Sequence, residues 1–146
     1  MTEVTDEIER LFAEGEEFTD AEQDSDALIR FRAAWDLLPE PKDEQPPAVR
    51  ILAAIADCHF YLGNWEECRR AVQHAFRCGA EVDNPFLRLR LGQSLYELGG
   101  EQEAANWLVP VYLQEGRKPF EDEEPKYLQF VRTRLDPPPG GWPEGW

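Results

Sequence analysis

The stretch LGQSLYELGGEQEAANWL, residues Leu91–Leu108, places a glycine inside an apolar helical pattern. Glycine in a helix interior costs about 1 kcal/mol against alanine. Gly92 therefore needs a reason. Gly99–Gly100 then breaks the pattern, and the small pair Ala104–Ala105 follows before Leu108. The same order recurs upstream. Small residues stand at Gly15, Ala56 and Gly92, and Phe18, His59 and Leu95 follow three later. Seven positions after the first set come Glu22, Gly63 and Gly99, then Ala27, Cys68 and Ala104. Phe31, Val72 and Leu108 come next, then Ala34, Ala75 and Val111, and the copies close near Pro39, Ala80 and Gly116. The copies start 41 and 36 residues apart, as the numbers 15, 56 and 92 show. Registered self-similarity on this scale is the mark of a repeat architecture.

The pattern resembles the tetratricopeptide repeat, a helix-turn-helix unit of about 34 residues. The likeness covers roughly residues 8–118. It is strong in the third copy, NPFLRLRLGQSLYELGGEQEAANWLVPVY, and good in the second, VRILAAIADCHFYLGNWEECRRAVQHAF. In the first, Glu14 stands where an apolar residue is usual and Glu22 where a glycine is usual, while DALIRFRAAWDLLPEP matches well. The resemblance implies an all-α fold: an α-solenoid of three helical hairpins, at about residues 8–41, 49–82 and 85–118. It also gives Gly92 a purpose. Two antiparallel helices cross there, and a side chain would keep them apart. Gly99 or Gly100 supplies the left-handed turn that ends the first helix.

The proline- and charge-rich PEPKDEQPPAV reads as an exposed loop between the first two copies. In GAEVDNP, Asp83 or Asn84 is placed to cap a helix that starts at Pro85. FEDEEPKYLQFVRTRL predicts one more helix, at about residues 122–135, with Tyr127, Leu128, Val131 and Leu135 on its apolar face. It caps the open end of the stack, as solenoids require. The repeats and cap form one domain over residues 1–136. PPPGGWPEGW, the tail from 137 to 146, holds four prolines and three glycines and reads as extended or turn-rich.

The net charge is −15. Residues 1–26 hold eleven acids and one base, Arg10, a net of −10 that leaves −5 for the rest of the chain. Such a surface repels nucleic acid and anionic membranes and suits a basic protein partner. Acidity of this kind also keeps a small protein soluble. The N-terminus lacks the basic and apolar regions of a signal peptide, and no apolar run is long enough for a membrane span. Cys58, Cys68 and Cys78 are odd in number and form no CxxC pair, as in a reduced, cytoplasmic protein.

The first helix of each hairpin in such a stack lines a concave face that binds peptides. By that register the inner face carries Phe12 and Glu16 from the first copy. It carries Arg50, Asp57, Phe60 and Tyr61 from the second, and Phe86, Arg90, Gln93 and Tyr96 from the third. Aromatics and arginine are the residue types that anchor interfaces. Exposure is expected of Tyr61, Arg50 and Arg90, because a charge or hydroxyl is costly to bury unpaired. Some members of the family hold a peptide's C-terminal carboxylate with a lysine and asparagine clamp. The matching positions here are Ala53, Asp57, Leu89 and Gln93, so the clamp is missing. Trp35, Trp65 and Trp107 fall in repeat helices and read as packing residues, whereas Trp142 and Trp146 are candidate tail contacts, most simply with the protein itself.

Catalysis finds little support. Cys58 and His59 are adjacent, and adjacent helical side chains diverge by about 100°, so they form no nucleophile–base pair. His59 occupies an apolar slot of its repeat and reads as a core residue, with His74 nearer the surface. Two histidines and three scattered cysteines show no zinc spacing, runs such as EDEE read as a solvated face, and no glycine-rich phosphate loop follows a strand. No cofactor or metal is implied. The reading is a protein-interaction module rather than an enzyme. An immunity-type protein that blocks a basic toxin comes first, and a secretion chaperone or an assembly subunit are the alternatives. Oligomeric state leaves no mark on the sequence.

Overall fold

The computed structural model describes residues 3–142. Seven α-helices occur among them: α1 (Glu3–Asp20), α2 (Asp24–Asp36), α3 (Ala48–Tyr61), α4 (Trp65–Arg77), α5 (Pro85–Glu97), α6 (Glu101–Glu115) and α7 (Pro125–Arg132). Short 3-10 turns lie at Lys42–Glu44 and Lys118–Phe120. The described residues contain no strand. The hairpins are α1–α2, α3–α4 and α5–α6, and they stack through α2 on α3 and α4 on α5. The capping helix is shorter than its sequence pattern implied, because it begins at Pro125 and ends at Arg132. Pro125 at its first turn fixes the start, since proline has no N–H to donate.

The repeating register is a packing rule. An ideal Cβ on Gly92 would lie 2.5 Å from Leu108 Cγ and 3.2 Å from the Leu108 backbone nitrogen. One on Gly15 would lie 2.5 Å from the Phe31 ring. In both hairpins the small residue on the first helix receives the large residue sixteen positions later. The turn position behaves as consistently. Gly63 and Gly99 have φ of 76° and 90°, and Glu22, at the same place in the first hairpin, has φ of 59°. The first hairpin keeps the left-handed turn although its residue has a Cβ. Of the two cap candidates before α5, Asn84 is the one used, its Oδ1 accepting from Leu87 N at 3.1 Å.

The core has two lobes. Ile8, Phe12, Ala27, Leu28, Phe31, Ala34 and Ile51 form the N-terminal one. The larger one runs from Leu52, Phe60 and Val72 through Leu91 and Leu108 to Tyr127 and Val131. Trp35 and Ile55 pack against both and join them. Trp65 and Trp107 also lie against the larger lobe, and Trp107 stacks on Phe76 with centroids 5.6 Å apart. Cap and third hairpin therefore share one apolar core.

Gly92→Ala will destabilise the protein by about 1–3 kcal/mol, because Leu108 and its backbone must give way. Glu22→Gly will stabilise it by about 1 kcal/mol by removing the left-handed strain of an L-residue. Thermal unfolding of both variants followed by circular dichroism checks the two opposite signs.

Candidate functional site

The inner face expected from the sequence belongs to α1, α3 and α5; α3 packs beside α5, and Glu123 in the segment leading into α7 reaches α5. At that junction lies Arg90, at 4% exposure. Its Nε donates to Asp57 Oδ1 at 2.8 Å. Its Nη1 donates to Gln93 Oε1 and Glu123 Oε1, both at 2.8 Å, and Nη2 to the Tyr61 hydroxyl at 3.1 Å. The guanidinium carbon lies 4.2 Å from the Phe60 ring centre and 5.3 Å from those of Tyr61 and Phe86. Gln93 Nε2 completes the cluster by donating to Glu123 Oε1 at 2.7 Å. Burial works against the Arg90 charge, and Asp57 and Glu123 more than offset it, so the guanidinium pKa is raised. One cation thus meets two carboxylates.

This corrects two sequence expectations. Arg90 is buried rather than exposed, because Asp57, Glu123, Gln93 and Tyr61 use its donors and aromatic faces cover it. Glu123, from the EDEE run, does not belong to a solvated face: its side chain is only 9% exposed and turns inward. Tyr61, at 55%, and Arg50 are exposed as expected. Phe60 is buried and Phe86 stands partly in solvent. Gln93 is fully buried. Tyr96 packs on the cap, 5.7 Å from the Tyr127 ring and 5.0 Å from that of Phe130. Tyr127 in turn donates to Glu97 at 2.5 Å, and Lys126 pairs with the same carboxylate. Burial, reinforced by Glu97, pushes the Tyr127 hydroxyl pKa far up.

Two recesses remain open. The first, about 330 Å³, has Phe12, Phe31 and Ala54 as apolar walls and Glu16, Thr19, Asp20 and Asp57 as polar ones. Arg50 flanks it by lying 4.3 Å over Phe12, with Glu9 as its ion partner at 2.5 Å. The second, about 380 Å³, joins Phe60, Tyr61, Trp65 and Tyr127 to Asp122, Glu123 and Glu124. Neither recess has a lysine or arginine in its lining. Nearby, burial first, and then the charges of Asp57 and Glu22, raise the pKa of the Asp24 carboxyl. Asp20, Asp24 and Glu123 were not singled out from the sequence, and Trp65 and Tyr127, read there as packing residues, both pack in the larger lobe and also line the second recess. For the carboxylates the only signal was an excess of acid, which does not say which ones turn inward.

The described residues assemble no nucleophile–base pair from Cys58 and His59. Burial, with Asp24 and Asp57 adding to it, pushes the Cys58 thiol up to about 12, and burial takes Cys68 to about 12 as well. His59 is buried between Arg32, 3.3 Å away, and Asn64, 3.2 Å away, and its pKa is lowered by that burial and by Arg32. Away from the groove, Asp43, His74 and Cys78 bring three donor atoms within 4.8 Å of one another, which sequence spacing did not show. Trp142 lies against the cap with the Arg132 guanidinium 5.1 Å from its ring centre. Trp146 lies outside the described residues. No helix among the described residues is long and apolar enough to cross a membrane.

No family model matches the sequence, and no curated protein does. Solved structures do match. The first TPR domain of Spaghetti (RPAP3), bound to the HSP90 peptide SRMEEVD, superposes at a TM-score of 0.63 with 13% identity, over 88% of this chain and 92% of that one. The Yersinia enterocolitica type III secretion chaperone SycD, in complex with a peptide of the translocator YopD, gives 0.66 with 15% identity over 88% and 92%. The second TPR domain of human RPAP3, in complex with an HSP70 peptide, gives 0.65 with 13% identity over 91% and 99%. The chain has the tetratricopeptide fold, an α-solenoid of three helical hairpins with a C-terminal cap.

Arg90→Met will destabilise the fold by about 3–5 kcal/mol, since it leaves two carboxylates facing each other without their cation. Denaturant unfolding measures this. Loss of partner binding in such a variant would report the fold, whereas Tyr61→Ala can probe the face itself.

Proposed function

We propose that the protein is a protein-recognition module whose concave face takes basic side chains of a partner protein. The observation that carries this reading is the first recess, where Phe12 and Phe31 adjoin Glu16 and Asp20 with no base in the lining, while Asp57 and Glu123 are already paired with Arg90. A lysine or arginine entering the first recess would lay its methylenes on Phe12 and Phe31 and bring its charge to Glu16 and Asp20, since Asp57 is already paired with Arg90. The net charge of −15, concentrated before residue 27, would steer a basic partner toward this face and speed its encounter.

The finer reading is an immunity-type protein that binds and neutralises a folded, basic toxin domain in the cytoplasm. It is supported by the way the cap engages Arg90, Gln93 and Tyr96. Those α5 positions are where a long extended peptide would run, so such a peptide would have to displace the cap. Short recesses suit side chains that project from a folded surface. The second reading is a secretion chaperone that cradles an extended client segment. Its support is the likeness to SycD, whose structure holds a translocator peptide.

Glu16→Lys combined with Asp20→Lys places two cations at the mouth of the first recess. Both side chains are exposed, so thermal stability will change little. Capture from the source lysate with wild-type and variant protein, followed by purification of what only the wild type retains, tests the reading. The expected outcome is a basic, folded partner whose association with the variant is slowed about tenfold or more. Equal binding by the variant removes the recess as the site. A partner held through an unfolded segment replaces the immunity reading with the chaperone.

A further inference from the structure

The connector between the first two hairpins is anchored firmly for a loop. Lys42 spans the C-terminal end of α2, its Nζ donating to the carbonyls of Trp35, Asp36 and Leu38 at 3.3, 3.0 and 2.8 Å. This spends the Lys42 charge on the carbonyl end of a helix dipole. It also fixes the 3-10 turn that carries Asp43 against α4. His74 lies in the last turn of α4 and Cys78 is its C-cap, so the two, four residues apart, share one face. Trp35 packs edge-on to the His74 ring, with centroids 5.2 Å apart and planes at 74°, which sets the ring's direction. His74 Nε2 lies 2.7 Å from Asp43 Oδ1.

We propose that Asp43, His74 and Cys78 form a binding site for a thiophilic divalent cation, with zinc as the metal that this ligand set suits. Carboxylate, imidazole and thiolate are zinc's three protein donors. Asp43 and the Cys78 thiolate would balance the charge of a dication, with His74 bound as the neutral ring. A tetrahedral zinc at its usual bond lengths holds its donors about 3.3–3.6 Å apart. The present donors all lie within 4.8 Å, and the closest pair is at 2.7 Å. Small side-chain rotations therefore suffice, with no movement of α4. On binding, the sulfur–metal bond forms as the Cys78 thiol proton leaves to solvent. The His74 proton resides on the ring nitrogen that does not ligate. Asp43 is exposed and His74 and Cys78 are partly so, which provides an entry path and leaves a fourth position for water. Trp35 and Lys42 hold His74 and Asp43 in place, as residues behind metal ligands commonly do. The metal would fasten the long connector to the back of α4, on residues that do not line the groove recesses.

Cobalt(II) titration of the chelator-treated full chain tests the site, because a cobalt–thiolate bond gives a charge-transfer absorption that carboxylates alone cannot produce. The expected result is that band saturating at one equivalent, bleached by zinc, lost in Cys78→Ser and weakened about tenfold or more in Asp43→Asn. Asp43 lies on an exposed turn, so its variant will fold. Zinc will also raise the unfolding temperature of the wild type and not that of Cys78→Ser. A titration with no thiolate band overturns the proposal, and so does a band that survives in Cys78→Ser.

Discussion

Arg90 is a charge removed from water where three elements meet, and the C-terminal half of the molecule is arranged around keeping it satisfied. A buried guanidinium is tolerated only with partners for its donors. α3 supplies Asp57 and Tyr61, α5 supplies Gln93 one turn further on, and the segment before α7 supplies Glu123. Every one of those bonds except that to Gln93 crosses between elements. The cap is therefore held by a directional polar lock as well as by the apolar packing of Tyr127, Phe130 and Val131. Apolar packing alone resists sliding weakly, whereas a fork of hydrogen bonds specifies one position.

The same lock shapes the face that a partner would meet. Because Arg90, Gln93 and Tyr96 are engaged from within, the surface left open is acidic and aromatic. The cluster carries one positive and two negative charges, so its own balance is negative. The first helix adds Glu16 and Asp20 without a neighbouring cation in the recess. On the proposed reading, charge complementarity and the aromatic floor would select the partner, and Ala53, Asp57, Leu89 and Gln93 offer no lysine or asparagine to clamp a peptide carboxylate.

Legibility from the sequence followed the distance over which each cause acts. The close helix approach at Gly92 was readable from the repeated spacing of small residues, whereas its actual partner, Leu108, and the matching contact of Gly15 with Phe31 emerged only in the folded hairpins. The left-handed turn at Gly63 and Gly99 was readable from glycine itself. Glu22 shows the limit of that inference, since hairpin geometry imposed the turn on a residue that disfavours it. The Arg90 cluster was not readable. Arg90 and Glu123 are 33 residues apart, and nothing in EDEE marks the third acid as the one that turns inward. Asp43 and His74 are 31 apart and meet where Lys42 anchors the connector to the end of α2.

By itself, the sequence determined a stack of three helical hairpins with a cap, where their turns fall, and an acidic surface. Those properties arise from periodicity, small-residue spacing and composition, which act within a hairpin or over the whole chain. Only the tertiary structure decided which charges are buried, which inner-face residues are consumed by the cap and which donors gather behind α4. Those outcomes depend on side chains that are distant in sequence sharing one desolvated or crowded place, where the energy of each depends on all the others.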